Sequence, residues 1–145
     1  MEKPTKLDQQ LCFEVYKASS NFSKMYAKAL EPFNLTFPQY LVLLVLWEED
    51  KLLMKNIGER LGLGTGTLNP IIKRMIGQGR LIKQQSETDK RAFTISLTEK
   101  AKSEQTAVEQ AVFDKLVSCD FMGVNAITLM KTLKELNASF KTMEL

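Results

Sequence analysis

The 145-residue chain contains no histidine. That absence removes the serine–histidine–aspartate triad, the cysteine–histidine pair, histidine-ligated zinc and any imidazole proton shuttle together. Cysteine is scarce: Cys12 and Cys119 stand 107 positions apart, neither a disulfide framework nor a Cys-x-x-Cys motif. Four prolines and seven glycines are few for a turn-rich all-β fold and favour helix. No signal-peptide pattern opens the chain, where Met1-Glu2-Lys3-Pro4 leads into a charged segment. The longest uncharged stretch, Pro32 to Trp47, includes Asn34, Thr36, Pro38 and Gln39 and is too polar for a membrane span. The expectation is a cytoplasmic protein with both cysteines as thiols, no membrane contact, no metal and no cofactor.

At 44% hydrophobic and 26% charged residues, the composition fits one globular domain with an ordinary core. The net charge of +3 is unevenly placed: residues 1–51 carry −1, residues 52–97 carry +5 and residues 98–145 carry −1. A basic middle between near-neutral flanks suits a segment that meets phosphate, although a solvated basic face has the same signature.

Apolar residues at Leu11, Val15, Phe22, Met25, Ala29 and Leu30 predict a first helix from about Lys6 to Leu30. Thr36-Phe37-Pro38-Gln39 reads as a capping box that starts a second, almost wholly apolar helix over Phe37 to Trp47. Six of the seven glycines fall between residues 58 and 79 and punctuate two short helices, Met54 to Leu61 and Thr65 to Met75 or Gln78. Gly62 is placed as a left-handed cap. Two short helices about a glycine turn form a helix-turn-helix. Leu81–Gln85 and the alternating run Phe93–Leu97, joined by the charged tip 86–91, read as a β-hairpin. A hairpin directly after a helix-turn-helix makes a wing. Thr98 caps a helix from Glu99 to about Ser118, and a last helix runs from about Val124 to Phe140. Gly62-Leu63-Gly64-Thr65-Gly66-Thr67 precedes a helix as phosphate loops do, but it follows a helix, is not Gly-x-Gly-x-x-Gly and lacks a Lys-Ser/Thr pair.

The predicted fold is mainly α with a small β-wing, in a single domain over residues 1–145. A winged helix-turn-helix over about 36–98 sits between dimerisation helices at about 6–34 and 99–145. Thr65, Thr67 and Asn69 can meet base edges and phosphates of double-stranded DNA, with Lys73 and Arg74 one turn on. Lys90 and Arg91 carry charge on the wing, where Arg91 suits a narrow minor groove and Asp89 suits the orienting of nearby guanidinium groups. Long apolar flanks are explained by a two-fold homodimer whose reading heads meet half-sites about 34–36 Å apart.

Leu35-Thr36-Phe37-Pro38-Gln39-Tyr40, Gly66-Thr67-Leu68-Asn69-Pro70, Lys73-Arg74-Met75, and Asp89-Lys90-Arg91 followed by Ser96-Leu97-Thr98 resemble the MarR family of winged-helix repressors. Gln10-Leu11-Cys12-Phe13, with Tyr16 and Tyr26 after it, is similar to the organic-hydroperoxide-sensing branch known as OhrR. The resemblance implies a regulator, not an enzyme, that represses stress genes until a reactive cysteine is oxidised by an organic hydroperoxide. The chain departs from the branch at Gly64-Thr65, where an acidic residue and serine are usual, at Asn69, where threonine is common, and at Phe37, where a thiolate-supporting tyrosine is usual.

Thiolate, not thiol, is the form that reacts fast with a peroxide, so a sensor cysteine needs help in ionising. Cys12 lies early in the first helix, where free N–H groups favour negative charge, and Tyr16 at i+4 can donate to it. Tyr26 lies fourteen residues on, about 21 Å along a straight helix, and reaches Cys12 only from a second subunit. The Asp120 carboxylate beside Cys119 disfavours its thiolate, making Cys119 the poorer first nucleophile. It can still resolve a sulfenic acid on Cys12, and the resemblance to two-cysteine members implies an intersubunit disulfide. Three alternatives remain open: a repressor released by a small aromatic ligand, a thiol peroxidase, and a protein-interaction module without a DNA role.

Overall fold

The computed structural model describes residues 3–118 and 125–143. It contains α1 (Leu11–Leu30), a 3-10 turn (Glu31–Phe33), α2 (Phe37–Glu48), β1 (Leu52–Leu53), α3 (Met54–Leu61), α4 (Thr65–Gly77), β2 (Leu81–Gln85), β3 (Phe93–Leu97), α5 (Glu99–Ser118) and α6 (Ala126–Thr142). The architecture is mainly helical with a small antiparallel sheet, as the sequence predicts.

Local chemistry accounts for most boundaries. The Thr36 side chain accepts from Gln39 N–H at 3.3 Å and the Gln39 side chain accepts from Thr36 N–H at 3.1 Å, so both halves of the capping box are made. Gly62 ends α3 at φ 69°, a left-handed position that glycine adopts without penalty. The Thr98 hydroxyl accepts from Ala101 N–H at the start of α5. Asn125 accepts from Thr128 N–H to start α6.

Three boundaries differ from expectation. α1 begins at Leu11, not near Lys6. Thr5 and Asp8 bond each other's backbone N–H groups to close a separate turn, and Gln10 then takes an extended ψ of 120°. Reciprocal side-chain bonds of this kind compete with helix propagation. β1 is a strand that sequence does not predict; its two residues pair with Ile95 and Thr94 of β3, giving the order β1-β3-β2. α6 begins at Ala126, whereas Val124 lies outside the described residues.

The core gathers Leu30 of α1, Val42, Leu43 and Leu46 of α2, Ile57 of α3, Leu68, Ile72 and Met75 of α4, Ile95 of β3 and Val108 of α5. α2 is thus enclosed by the rest, which explains its lack of a polar face. Trp47 on its outer edge donates to the Ala101 carbonyl at 3.0 Å and fastens α2 to α5. The apolar stripe of α1 is buried only at its C-terminal end, at Ala29 and Leu30. Leu11 remains 76% exposed, and α6 has no buried residue at all, with Ile127 84% exposed. No single helix among the described residues is long and apolar enough to cross a membrane.

Candidate nucleic-acid interface and thiol site

α4 buries Leu68, Ile72 and Met75 at spacings of four and three, so its opposite face is fixed toward solvent. Thr67, Asn69, Lys73 and Arg74 lie off the buried stripe and are exposed, and Thr65 is exposed at the first turn, in line with Leu68 and Ile72. Gly64 occupies the N-cap and supplies no side chain, so the Thr65 and Gly66 N–H groups find no acceptor within the described residues. These free donors and the helix dipole make the leading end of α4 attractive to anionic oxygen. Gly58 fixes the turn before it: a Cβ there would stand 2.7 Å from the Leu63 carbonyl oxygen.

The wing is ordered by its own polar groups. Ser86 N–H bonds Ala92 O at 2.9 Å, and Ala92 N–H bonds Asp89 O at 3.0 Å. The Asp89 carboxylate accepts from the Arg91 backbone N–H at 3.0 Å. Asp89 therefore shapes the loop main chain, and no ion pair among the described residues joins it to a guanidinium. The Lys90 and Arg91 side chains are left exposed at the tip.

Between the wing, α3 and the start of α4 lies an open groove of about 840 Å³. It brings together Thr65, Asn69, Asp89 and Arg91, and adds Lys55 and Lys83. Both lysines belong to the basic middle segment, and residue type alone does not distinguish them from other surface lysines. Lys83 sits 4.2 Å from the Phe93 ring centroid, a diagonal cross-strand contact set by the register of β2 on β3. Arg74 lies elsewhere, lining a smaller cleft with Thr36, Gln39 and Gln78. Thr67, Lys73 and Lys90 line neither groove.

Residues 24–108, more than half of the chain, match the family model described as transcriptional regulator SarA/Rot. The chain belongs to the MarR–SarA family of winged-helix transcriptional regulators. The regulator is similar to the organic hydroperoxide resistance transcriptional regulator of Bacillus subtilis (strain 168), at 49% identity over 94 residues. That stretch is 65% of this chain and 64% of the relative, so the match spans less than two thirds of the relative's length. Reduced AbfR bound to DNA superimposes with a TM-score of 0.84 at 33% identity, covering 97% of this chain and 96% of that one; AbfR is a protein of Staphylococcus epidermidis. Disulfide-formed AbfR gives 0.72 at 34% identity, covering 97% and 93%. The regulator's protomer thus superimposes better on DNA-bound AbfR than on its disulfide form. These relatives bear out the family and branch resemblance, and the B. subtilis relative is named a regulator rather than an enzyme.

The regulator's Cys12 is the second residue of α1 and is exposed. Gln10 supplies no capping side chain, so the Leu11 and Cys12 N–H groups find no acceptor among the described residues. The later helix start thus places the thiol in the first turn, where the helix dipole acts. Tyr16 is exposed and makes no hydrogen bond to Cys12 within the protomer. Tyr26 belongs to the same unbroken helix and packs on Phe37, with ring centroids 4.5 Å apart, and on Tyr40 at 6.0 Å. Burial pushes the Tyr26 phenol above its ordinary range, which keeps it a protonated donor. Burial does the same to Tyr40, assisted by Tyr26 and Glu109. Cys119 lies outside the described residues.

Proposed function

We propose that this regulator is a homodimeric DNA-binding repressor of the cytoplasm, released from its operator when an organic hydroperoxide oxidises Cys12. The observation that carries the reading is the placement of an exposed thiol in the uncapped first turn of a helix whose neighbouring apolar side chains lie open. A cysteine kept only for packing belongs in the core. The exposed faces of α1 and α6 support an interface between two copies built from residues of about 6–34 and 99–145, with residues of about 36–98 facing DNA.

In the first step the Cys12 thiolate attacks the outer peroxide oxygen. The O–O bond breaks, Cys12 becomes a sulfenic acid, and the alkoxide leaves as alcohol after taking a proton. Cys119 of a second copy, as thiolate, then attacks the Cys12 sulfur and expels hydroxide, which leaves as water. Tyr16, and Tyr26 of the second copy, stabilise the thiolate by donating to it. Closing the bond draws the two Cα atoms to within about 7 Å and reorients the reading heads. On DNA, Thr65, Thr67 and Asn69 meet base edges and phosphates, Lys73, Arg74 and Lys90 neutralise phosphate, and Arg91 enters the minor groove with its loop shaped by Asp89.

The test is a gel shift on the regulator's own promoter with wild type, Cys12→Ser and Cys119→Ser, before and after cumene hydroperoxide and after dithiothreitol. Wild type should dissociate and recover. Cys12→Ser should stay bound, while Cys119→Ser should dissociate but become irreversibly overoxidised. Release of Cys12→Ser by oxidant would sink the thiol reading. Release of that variant by a small aromatic acid would favour a ligand seated in the groove beside α3.

A further inference from the structure

The Arg80 side chain is buried, at 4% exposure, and stands where α4 hands over to β2. Its guanidinium serves three separate elements. Nε donates to Glu104 of α5 at 3.1 Å, and Nη2 lies 3.1 Å from the same carboxylate oxygen as an ion pair. Nη1 donates to the side chain of Gln78, the C-cap of α4, at 2.8 Å, and Nη2 donates to the Phe33 carbonyl in the 3-10 turn after α1 at 2.5 Å. The same corner is tied further by Gln78 to the Asn34 carbonyl at 3.2 Å, Lys100 to the Gln78 carbonyl at 2.9 Å, and the Thr98 hydroxyl to the Gly79 carbonyl at 2.6 Å.

A buried ion pair is a weak source of net stability, because desolvation offsets most of the attraction. A rigid planar fork is, however, an effective device for fixing geometry among several acceptors. We propose that Arg80 is a positioning residue for DNA recognition, clamping the C-terminal end of α4 to α5 and to the turn after α1 and so fixing where the Thr65–Asn69 end lies. The inference rests on the DNA-binding reading above.

A lever argument gives the consequence. α4 has 13 residues and is about 18 Å long, so a 10° tilt at its clamped end moves the other end by about 3 Å. Hydrogen bonds to base edges do not survive such a shift. The attraction of Lys73, Arg74 or Arg91 for phosphate changes little, since it decays over a Debye length of about 8 Å. Loss of the clamp should therefore remove sequence preference and leave non-specific affinity.

The experiment compares full-length wild type, Arg80→Lys and Gln78→Ala under reducing conditions at fixed salt. One duplex is selected by wild type from a randomised library; the other is a random-sequence duplex of equal length. Gln78→Ala keeps the buried Arg80–Glu104 pair and removes the two bonds of the α4 cap side chain, to Arg80 and to the Asn34 carbonyl, so it remains informative if Arg80→Lys folds poorly. Each folded variant should lose about ten-fold on the selected duplex, comparable to a lost base contact, and under about two-fold on the random one. Equal losses on both duplexes, or a specificity ratio unchanged from wild type, would overturn the clamp. A wild type that enriches no duplex would overturn the DNA-binding reading, and the clamp with it.

Discussion

The ring of Tyr26 lies 4.5 Å from that of Phe37, with the two planes inclined at 37°. The contact joins the end of α1 to the start of α2, and it continues through Tyr40 to Trp47, whose rings meet edge to face at 6.5 Å. Phe37 therefore occupies the place beside Tyr26 where the resembling branch has a second phenol. In Phe37→Tyr a hydroxyl is added there. Given two copies with Tyr26 facing the other's Cys12, that donor should speed Cys12 oxidation by about ten-fold, the worth of one hydrogen bond to a charged group. Single-turnover loss of the thiol with cumene hydroperoxide measures it, and an unchanged rate would place Phe37 away from the sulfur.

Arg91 is exposed at the wing tip, with only its backbone N–H engaged by Asp89. Arg91→Ala should weaken duplex binding and reduce the slope of log K against log salt by about 0.9 for each copy that touches phosphate. The Cys12 oxidation rate should not change. A slope equal to that of wild type would show that the wing tip stays clear of DNA.

Gly58→Ala should destabilise the protein by about 1–3 kcal/mol, the usual range for overpacking. The new Cβ would sit 2.7 Å from the Leu63 oxygen, while Leu63 N–H bonds the Gly58 carbonyl at 2.9 Å. The helix preference of alanine, about 0.5–1 kcal/mol, offsets only part of this. Urea unfolding should show a lower midpoint with an unchanged m-value.

Stability should fall as pH rises above 10.0, the ordinary value for tyrosine. Tyr26 and Tyr40 both have phenols raised by burial in the folded state. Above the unfolded value the folded chain holds more protons than the unfolded one, so stability declines with pH until the folded phenols also ionise. Chemical denaturation between pH 8 and 11 should show this decline, and a Tyr26→Phe/Tyr40→Phe double variant should flatten it.

Features written in local chemistry were legible in the sequence. The Thr36–Gln39 box, the Gly62 cap, both hairpin strands and the Thr98 start of α5 each depend on residues a few positions apart. β1 was not legible, because a strand of two residues has no periodicity and exists only through pairing with Ile95 and Thr94. The start of α1 was misplaced because the Thr5–Asp8 turn competes with a helix that its composition equally permits. At the site, the hydroxyl, amide and basic residues of α4 were legible as residue types in a helix after a glycine turn. Lys83 beside Phe93, and Arg80 across to Glu104, are contacts that only the folded chain creates.

The bare surface of α6 makes dilution a structural variable. An unsupported 17-residue helix is marginal in water, and α6 draws on no burial within its own protomer. If a second copy supplies the cover, the helix content of this segment tracks how many molecules the cell holds. Abundance would then set how much of the regulator is assembled, before any oxidant arrives.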